Sequence, residues 1–165
     1  MNAIPNPLIA KDNPLSVKHS ARTAVAAVLS LYVARWFGLP EAYWSTITTM
    51  VVMQSTLGAT LPVSAQRLAG TALGAAVGAL AVACYPGNGL VFGGCVLMIG
   101  IVFAPFRLER NAYRYANLTL AIVMLVPAQS GWVVAIHRFF EVSVGISVGL
   151  AVSAVWPESG AGKGK

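Results

Sequence analysis

Arg138 and Glu141 stand three residues apart at the head of HRFFEVSVGISVGLAVSAVWPE (137–158), and no charge follows from Val142 to Trp156. The i, i+3 spacing puts both side chains on one helix face. A guanidinium there attracts an anion, and a carboxyl group beside it can take up a proton. In hydrocarbon each would alone cost about 2.5–3.5 kcal/mol on insertion scales, so the pattern points to a pair that faces a polar cavity. Ionisable residues at such depth mark ion and substrate paths. The structural alternative is an ion pair that only fixes the helix near the outer surface.

Two further segments carry polar side chains inside apolar surroundings. One holds Trp44, Thr46, Thr48, Thr49 and Gln54; the other holds Asn117 and Thr119 and ends near Gln129. Short, interrupted helices in matching halves are a sequence pointer to a transporter's binding site. Threonines that bond back to their own helix are the competing reading. The substrate-binding set expected from the sequence is therefore Arg138, Glu141, Trp44, Thr48, Gln54, Asn117 and Thr119. Gly70, Gly74 and Gly78, and Gly145 with Gly149, form small-xxx-small faces that let helices approach closely, and Thr71 can hydrogen-bond across such a face. Arg107, Arg110 and Arg114 cluster with Glu109, a pattern that serves topology and anionic lipid contact. His19 reads as solvated, and His137 shares the surroundings of Arg138. No Ser-His-Asp order, metal motif or phosphate loop occurs, so neither an enzyme nor a cofactor is expected, and no metal site. Cys84 and Cys95 lie in apolar segments and read as buried, reduced thiols.

These residues need elements to hold them. Apolar residues make up 57% of the 165-residue chain and charged residues 10%, with a mean hydropathy of +0.72. A soluble domain carries roughly a quarter charged residues, so this composition describes a polytopic membrane protein. The net charge of +6 is scattered over helix ends and forms no nucleic-acid patch. The first twenty residues hold three prolines and do not read as a cleavable signal peptide. Turn signals divide the chain into six helices, near 21–37, 43–54, 68–85, 90–106, 115–126 and 132–156. The expected layout is a cytoplasmic segment 1–20, a six-helix membrane domain 21–157 and a cytoplasmic tail 158–165. With the N-terminus inside, nine of the eleven Lys and Arg residues are cytoplasmic and only Arg35 and Arg138 are outside. Both termini then face the cytoplasm. Trp132 and Trp156 bracket the last helix as interfacial aromatics.

One offset recurs. Arg67, Gly74, Gly78 and Pro86 fall on Arg138, Gly145, Gly149 and Pro157 after a shift of 71, and Thr48, Val52 and Met53 fall on Thr119, Val123 and Met124. The chain thus reads as two three-helix units, about 17–87 and 88–158. Since three is odd, the second unit enters from the opposite side. Inverted repeats of this kind build many transporters. On this reading Arg67 marks the cytoplasmic end of its helix and Arg138 is its outward copy.

The stretch AYWSTITTMVVMQSTLGATLPVSAQRLAGTALGAAVG (42–78) resembles the membrane unit of the fusaric acid resistance (FUSC) family, also called aromatic acid exporters. Trp44, Gln54, Gly58, Arg67, Gly70, Thr71 and Gly74 carry the resemblance. It continues through the helix from Arg138 to Pro157 and covers most of residues 17–157. It implies a bacterial inner-membrane protein that exports aromatic carboxylates and similar small organic anions. Plant aluminium-activated malate channels have a similar six-helix layout and form dimers. Many relatives carry two such units or a large cytosolic domain, so a homodimer is expected to supply the two halves of a path. A periplasmic adaptor or another membrane subunit is a further expected partner. The alternatives are a dimeric anion channel of the same fold and a non-transporting subunit of a larger complex.

Overall fold

The structure, a computed structural model, describes residues 17–54, 56–104, 110–126 and 130–157. Its elements are α1 (Val17–Trp36), α2 (Tyr43–Val52), α3 (Leu57–Cys84), α4 (Gly89–Phe103), α5 (Arg110–Leu125) and α6 (Gly131–Val155). The described residues are all-α. Local chemistry sets the breaks. Gly38 has φ +69°, donates its N–H to the Arg35 carbonyl at 2.9 Å, and lets the Leu39 N–H reach Ala34 at 3.1 Å. That pair of bonds is the left-handed glycine stop of a Schellman motif. Gly87, also at φ +69°, turns the chain after α3, and the Asn88 side chain accepts the N–H groups of Leu90 and Val91 to start α4.

α3 departs most from the sequence expectation. It starts at Leu57 and not near Leu68, because Thr56 caps it by accepting the Ala59 N–H at 3.2 Å. Pro62 then falls in the second turn, where its missing N–H removes a single helix bond. The helix reaches 28 residues, or about 42 Å at 1.5 Å per residue. Arg67 therefore lies ten positions past Leu57, roughly 15 Å inside the helix. It does not mark a helix end.

α3 and α6 are long and apolar enough to cross a membrane by length and composition. α2, with ten residues, covers about 15 Å, half of the ~30 Å hydrocarbon core. α4 and α5 have 15 and 16 residues. The outer surface is rich in exposed apolar side chains, with Leu90 89% and Val155 86% accessible, while Arg22, Glu141 and a series of Ser and Thr are buried. A soluble protein distributes these types the other way round.

Glycines decide how the helices meet. α3 packs most extensively on α5 and then α6, and α2 packs on α6 and α1. A Cβ on Gly70 would lie 2.6 Å from the Ala112 carbonyl oxygen; one on Gly74 would overlap the Ala116 carbonyl oxygen. Gly78 faces Val123 in the same row. On the other side a Cβ on Gly145 would overlap the Ser45 carbonyl oxygen, and one on Gly149 would come 3.0 Å from Val52. At Gly70, Gly74 and Gly145 these are contacts with a neighbouring backbone that only glycine permits, while Gly78 and Gly149 press against valine side chains. Ala112, Ala116, Leu120 and Met124 of α5 fill the core beside α3, with Ile99 and Phe103 of α4.

Polar ties complete the packing. The Ser30 and Ser45 hydroxyls lie 2.6 Å apart between α1 and α2. The Thr49 hydroxyl lies 3.0 Å from the Ser45 carbonyl of its own helix and 2.9 Å from Gly145 O of α6. Arg22, buried in α1, donates to the Trp156 carbonyl at 3.1 Å and to the Gln54 carbonyl. It thereby satisfies carbonyls just past the C-terminal ends of α6 and α2. Both cysteines are free, but Cys84 is exposed and not buried as expected, because it is the last residue of α3, where the chain turns away; Cys95 is half-buried.

Gly74→Val and Gly145→Val should each force two backbones apart and lose about 1–3 kcal/mol or more. Melting of the purified protein in detergent reads this out. Gly93→Ala, with nothing within 4 Å of the added methyl, should melt no lower than the wild type. Equal melting of all three variants would contradict the packing role of the glycine rows.

Candidate functional site

The site grows from one face of α2. Trp44 and Thr48 are four residues apart, so their side chains stack one turn above the other. α6 runs past this face with Gly145 against Ser45 and Thr48, and brings Arg138 and Glu141 to its upper end. Arg138 is 5% exposed and sits seven positions into α6, roughly 10 Å from its start.

Arg138 is held on three sides. Its guanidinium stacks over the Trp44 ring, 4.5 Å from the centroid. It pairs with the Glu41 carboxylate and, at 3.0 Å, with Oε2 of Glu141. The Glu141 side chain is fully buried, and its Oε1 accepts the Glu41 backbone N–H at 3.1 Å. The segment between α1 and α2 is thus pinned to α6 through both carboxylates. A guanidinium bracketed by two carboxylates and an aromatic face is a site where an incoming carboxylate can compete for the same donors.

Glu41 was not among the residues expected from the sequence. Its signal is scarcity: the chain has five acidic residues, and this one lies in the GLPEAY break on the same expected side as Arg138. A buried guanidinium has donors to spare beyond Glu141 and calls for a second carboxylate of this kind.

A second arginine lies one turn down the same face. Arg67 of α3 is 3% exposed, stacks over the Tyr115 ring of α5 at 4.7 Å, and places Nη2 3.5 Å from the Thr48 hydroxyl of α2. The signal for it was the shift of 71, which carries Arg67 onto Arg138 and also Trp44 onto Tyr115.

The other expected residues are distributed unevenly. Trp44 and Thr48 join Arg138 and Arg67 respectively. Gln54 lies ten positions below Trp44, past the end of α2, where its backbone meets Thr60 and Arg22; it is not brought to Arg138. Asn117 and Thr119 sit on α5, which packs mainly on α3, and neither bonds to Arg138 or Glu141. Thr119 is buried, and the Asn117 Oδ1 is buried without a partner among the described residues. Gly70, Gly74 and Gly78 face α5, while Gly145 and Gly149 face α2. His137 is half-buried and Arg114 exposed. Arg107, Glu109 and Gln129 lie outside the described residues, as does the Arg110 side chain.

With the geometry in place, comparison with known proteins fixes the family. The fusaric acid resistance protein-like family model matches residues 26–152. The "Uncharacterized transporter YdhK" of Escherichia coli K12 is 29% identical over 155 residues, covering 86% of this chain and 23% of that protein. The "Inner membrane protein YccS" of the same organism is 27% identical over 145 residues, covering 86% of this chain and 20% of YccS. The "Inner membrane protein YeeA" is 23% identical over 150 residues, covering 86% and 41%. The chain thus spans about a fifth to two fifths of the length of these relatives. No solved structure matches it significantly. The chain belongs to the fusaric acid resistance protein-like family and is, like these relatives, a protein of the inner membrane.

Proposed function

We propose that the protein exports small organic anions, aromatic carboxylates foremost, across the inner membrane as a homodimer. The observation that carries this reading is Arg138, a buried arginine of a membrane-length helix, bracketed by Glu41, Glu141 and the Trp44 ring. A transporter among the relatives agrees with it.

The chemistry follows from the contacts. A substrate carboxylate replaces one of the two internal carboxylates on the guanidinium fork. Glu141, freed from Arg138, takes up a proton, so binding and proton uptake are linked at one group. When the substrate leaves, Glu141 gives up the proton and pairs with Arg138 again. The Trp44 ring offers an aromatic face beside the anion. Thr48 continues the path, and Gln54, Asn117 and Thr119 line it further on.

In this reading the six helices form an inward-starting, inward-ending 3+3 inverted repeat. The contacts related by the shift of 71 support it. Gly74 meets Ala116 while Gly145 meets Ser45, and Gly78 meets Val123 while Gly149 meets Val52. In each case both partners shift by 71 and exchange units. Arg67 on Tyr115 and Arg138 on Trp44 obey the same exchange.

Three measurements test this. Cells expressing the wild type should export labelled aromatic carboxylates above the empty-vector level, and Arg138→Ala, at matched expression, should retain about a tenth or less of that rate. Equal efflux from both would remove Arg138 from the path, and no wild-type efflux would sink the exporter reading. Glu141→Gln should abolish the dependence of flux on an imposed pH gradient; unchanged flux that simply follows membrane potential would instead establish an anion channel. With Cys84 and Cys95 replaced, cysteines at Gly38 and Asn88 should be labelled by an impermeant maleimide from the outside, and one at Thr56 only from the inside. Labelling of Gly38 and Thr56 from the same side would break the inverted repeat.

A further inference from the structure

We propose that Arg67, with Ser64, Thr71, Thr48 and Tyr115, forms a second carboxylate site, at the Thr48 turn of α2 next to the Trp44 turn that meets Arg138. It deepens the export reading and rests on it for its place in a path.

Charge distribution is the first argument. Of the five acidic residues in the chain, Glu41 and Glu141 are the two among the described residues, and both are engaged by Arg138. Arg67 has the same burial and a ring beneath it, yet no carboxylate among the described residues. Shifting Glu41 and Glu141 by 71 shows why: the corresponding positions are Ala112 and Gly70. Among the described residues, carboxylates stand at one arginine and none at the other. A cation this deep is costly unless an anion joins it.

Unused hydrogen-bonding capacity is the second. Ser64, Arg67 and Thr71 stand at i−3, i and i+4, on one face of α3. They are 3%, 3% and 0% exposed, and the Ser64 Oγ, Arg67 Nε and Thr71 Oγ1 have no hydrogen-bond partner among the described residues. The contact of Arg67 with Thr48 is a long 3.5 Å. A guanidinium carries five N–H donors and each hydroxyl one O–H, whereas a carboxylate only accepts, at about four lone-pair positions. Its oxygens fit this row of donors, and the flat guanidinium fork favours a planar, two-oxygen partner.

Placement is the third. Arg67 faces Thr48 across the seam between α2 and α3, which touch most sparsely of the helix pairs in contact. Trp44 beneath Arg138 and Thr48 beside Arg67 are one turn of α2 apart, or roughly 6 Å.

The test uses the purified full-length chain in detergent, with benzoate as probe and benzamide as its neutral counterpart. Benzoate should raise the melting temperature of the wild type in a saturable way and benzamide should not. Arg67→Gln should weaken apparent benzoate affinity about tenfold or more, Arg67→Lys should recover part of it, and the isosteric Thr71→Val should weaken it about threefold. A residue that merely held the helices together would lower melting without changing the preference for benzoate over benzamide. Unchanged benzoate affinity in Arg67→Gln overturns the site, as does a wild type that does not distinguish the two probes. If Arg67→Gln does not fold, unchanged affinity in both Arg67→Lys and Thr71→Val overturns it instead. Flux is read separately in proteoliposomes: benzoate binding without benzoate transport defeats the export reading and leaves the second site standing.

Discussion

The contact of glycine backbones with carbonyl oxygens holds the rest of this structure in place. Gly74 against Ala116 and Gly145 against Ser45 bring two helix pairs closer than side chains would allow. Lipid tails are as apolar as the helices, so burial of apolar area drives little association between them; close packing does. With α6 this near α2, the long side chain two turns up from Gly145 lies over the Trp44 ring and between Glu41 and Glu141. Arg138 is seven residues before Gly145, and Arg67 is seven before Gly74. The same seven-residue spacing sets Arg67 over Tyr115. Small residues at one level of the bundle thus determine where the charges sit at another.

The two arginines then differ by what their surroundings provide. At Arg138 the carboxylates of Glu41 and Glu141 close the site with internal charge, and the Glu41 backbone N–H steadies Glu141. At Arg67 the corresponding positions carry a methyl group and a hydrogen, and α5 fills the space with its backbone against Gly70. The α3–α5 crossing stays bare and tight at Gly70, whereas α6 carries the buried acid Glu141 beside its arginine. Two helix crossings of similar geometry thereby hold two unlike charge environments.

Much of this was legible in the residues, and the failures have physical causes. Composition and turn residues show six helices, and the glycine spacing shows which faces lie close. The ionic pair at the mouth of α6 is visible because i, i+3 is a local relation. Glu41 is not, since it lies 97 residues from Arg138 and only tertiary packing joins them. The start of α3 was misplaced because Pro62 reads as a helix breaker, while the Thr56 cap that moves it into the second turn is a weak sequence signal. That displacement hid Arg67, which looks like a topology marker at a helix end and becomes a buried cation once ten residues precede it. Gln54 drew attention by its side chain, whereas its role in the fold lies in its backbone carbonyl.

Arg22 has a consequence for how the protein is made. It belongs to α1, yet one of its acceptors is the carbonyl of Trp156, 134 residues on and just past the end of α6. Until α6 has formed, the Trp156 carbonyl is missing, while contacts with the Gln54 carbonyl and the His19 ring are already within reach of Arg22. The full set of contacts that seats α1 therefore closes only once the chain has been made as far as Trp156. A chain cut short of Trp156 lacks the bond by which α1 holds the end of α6.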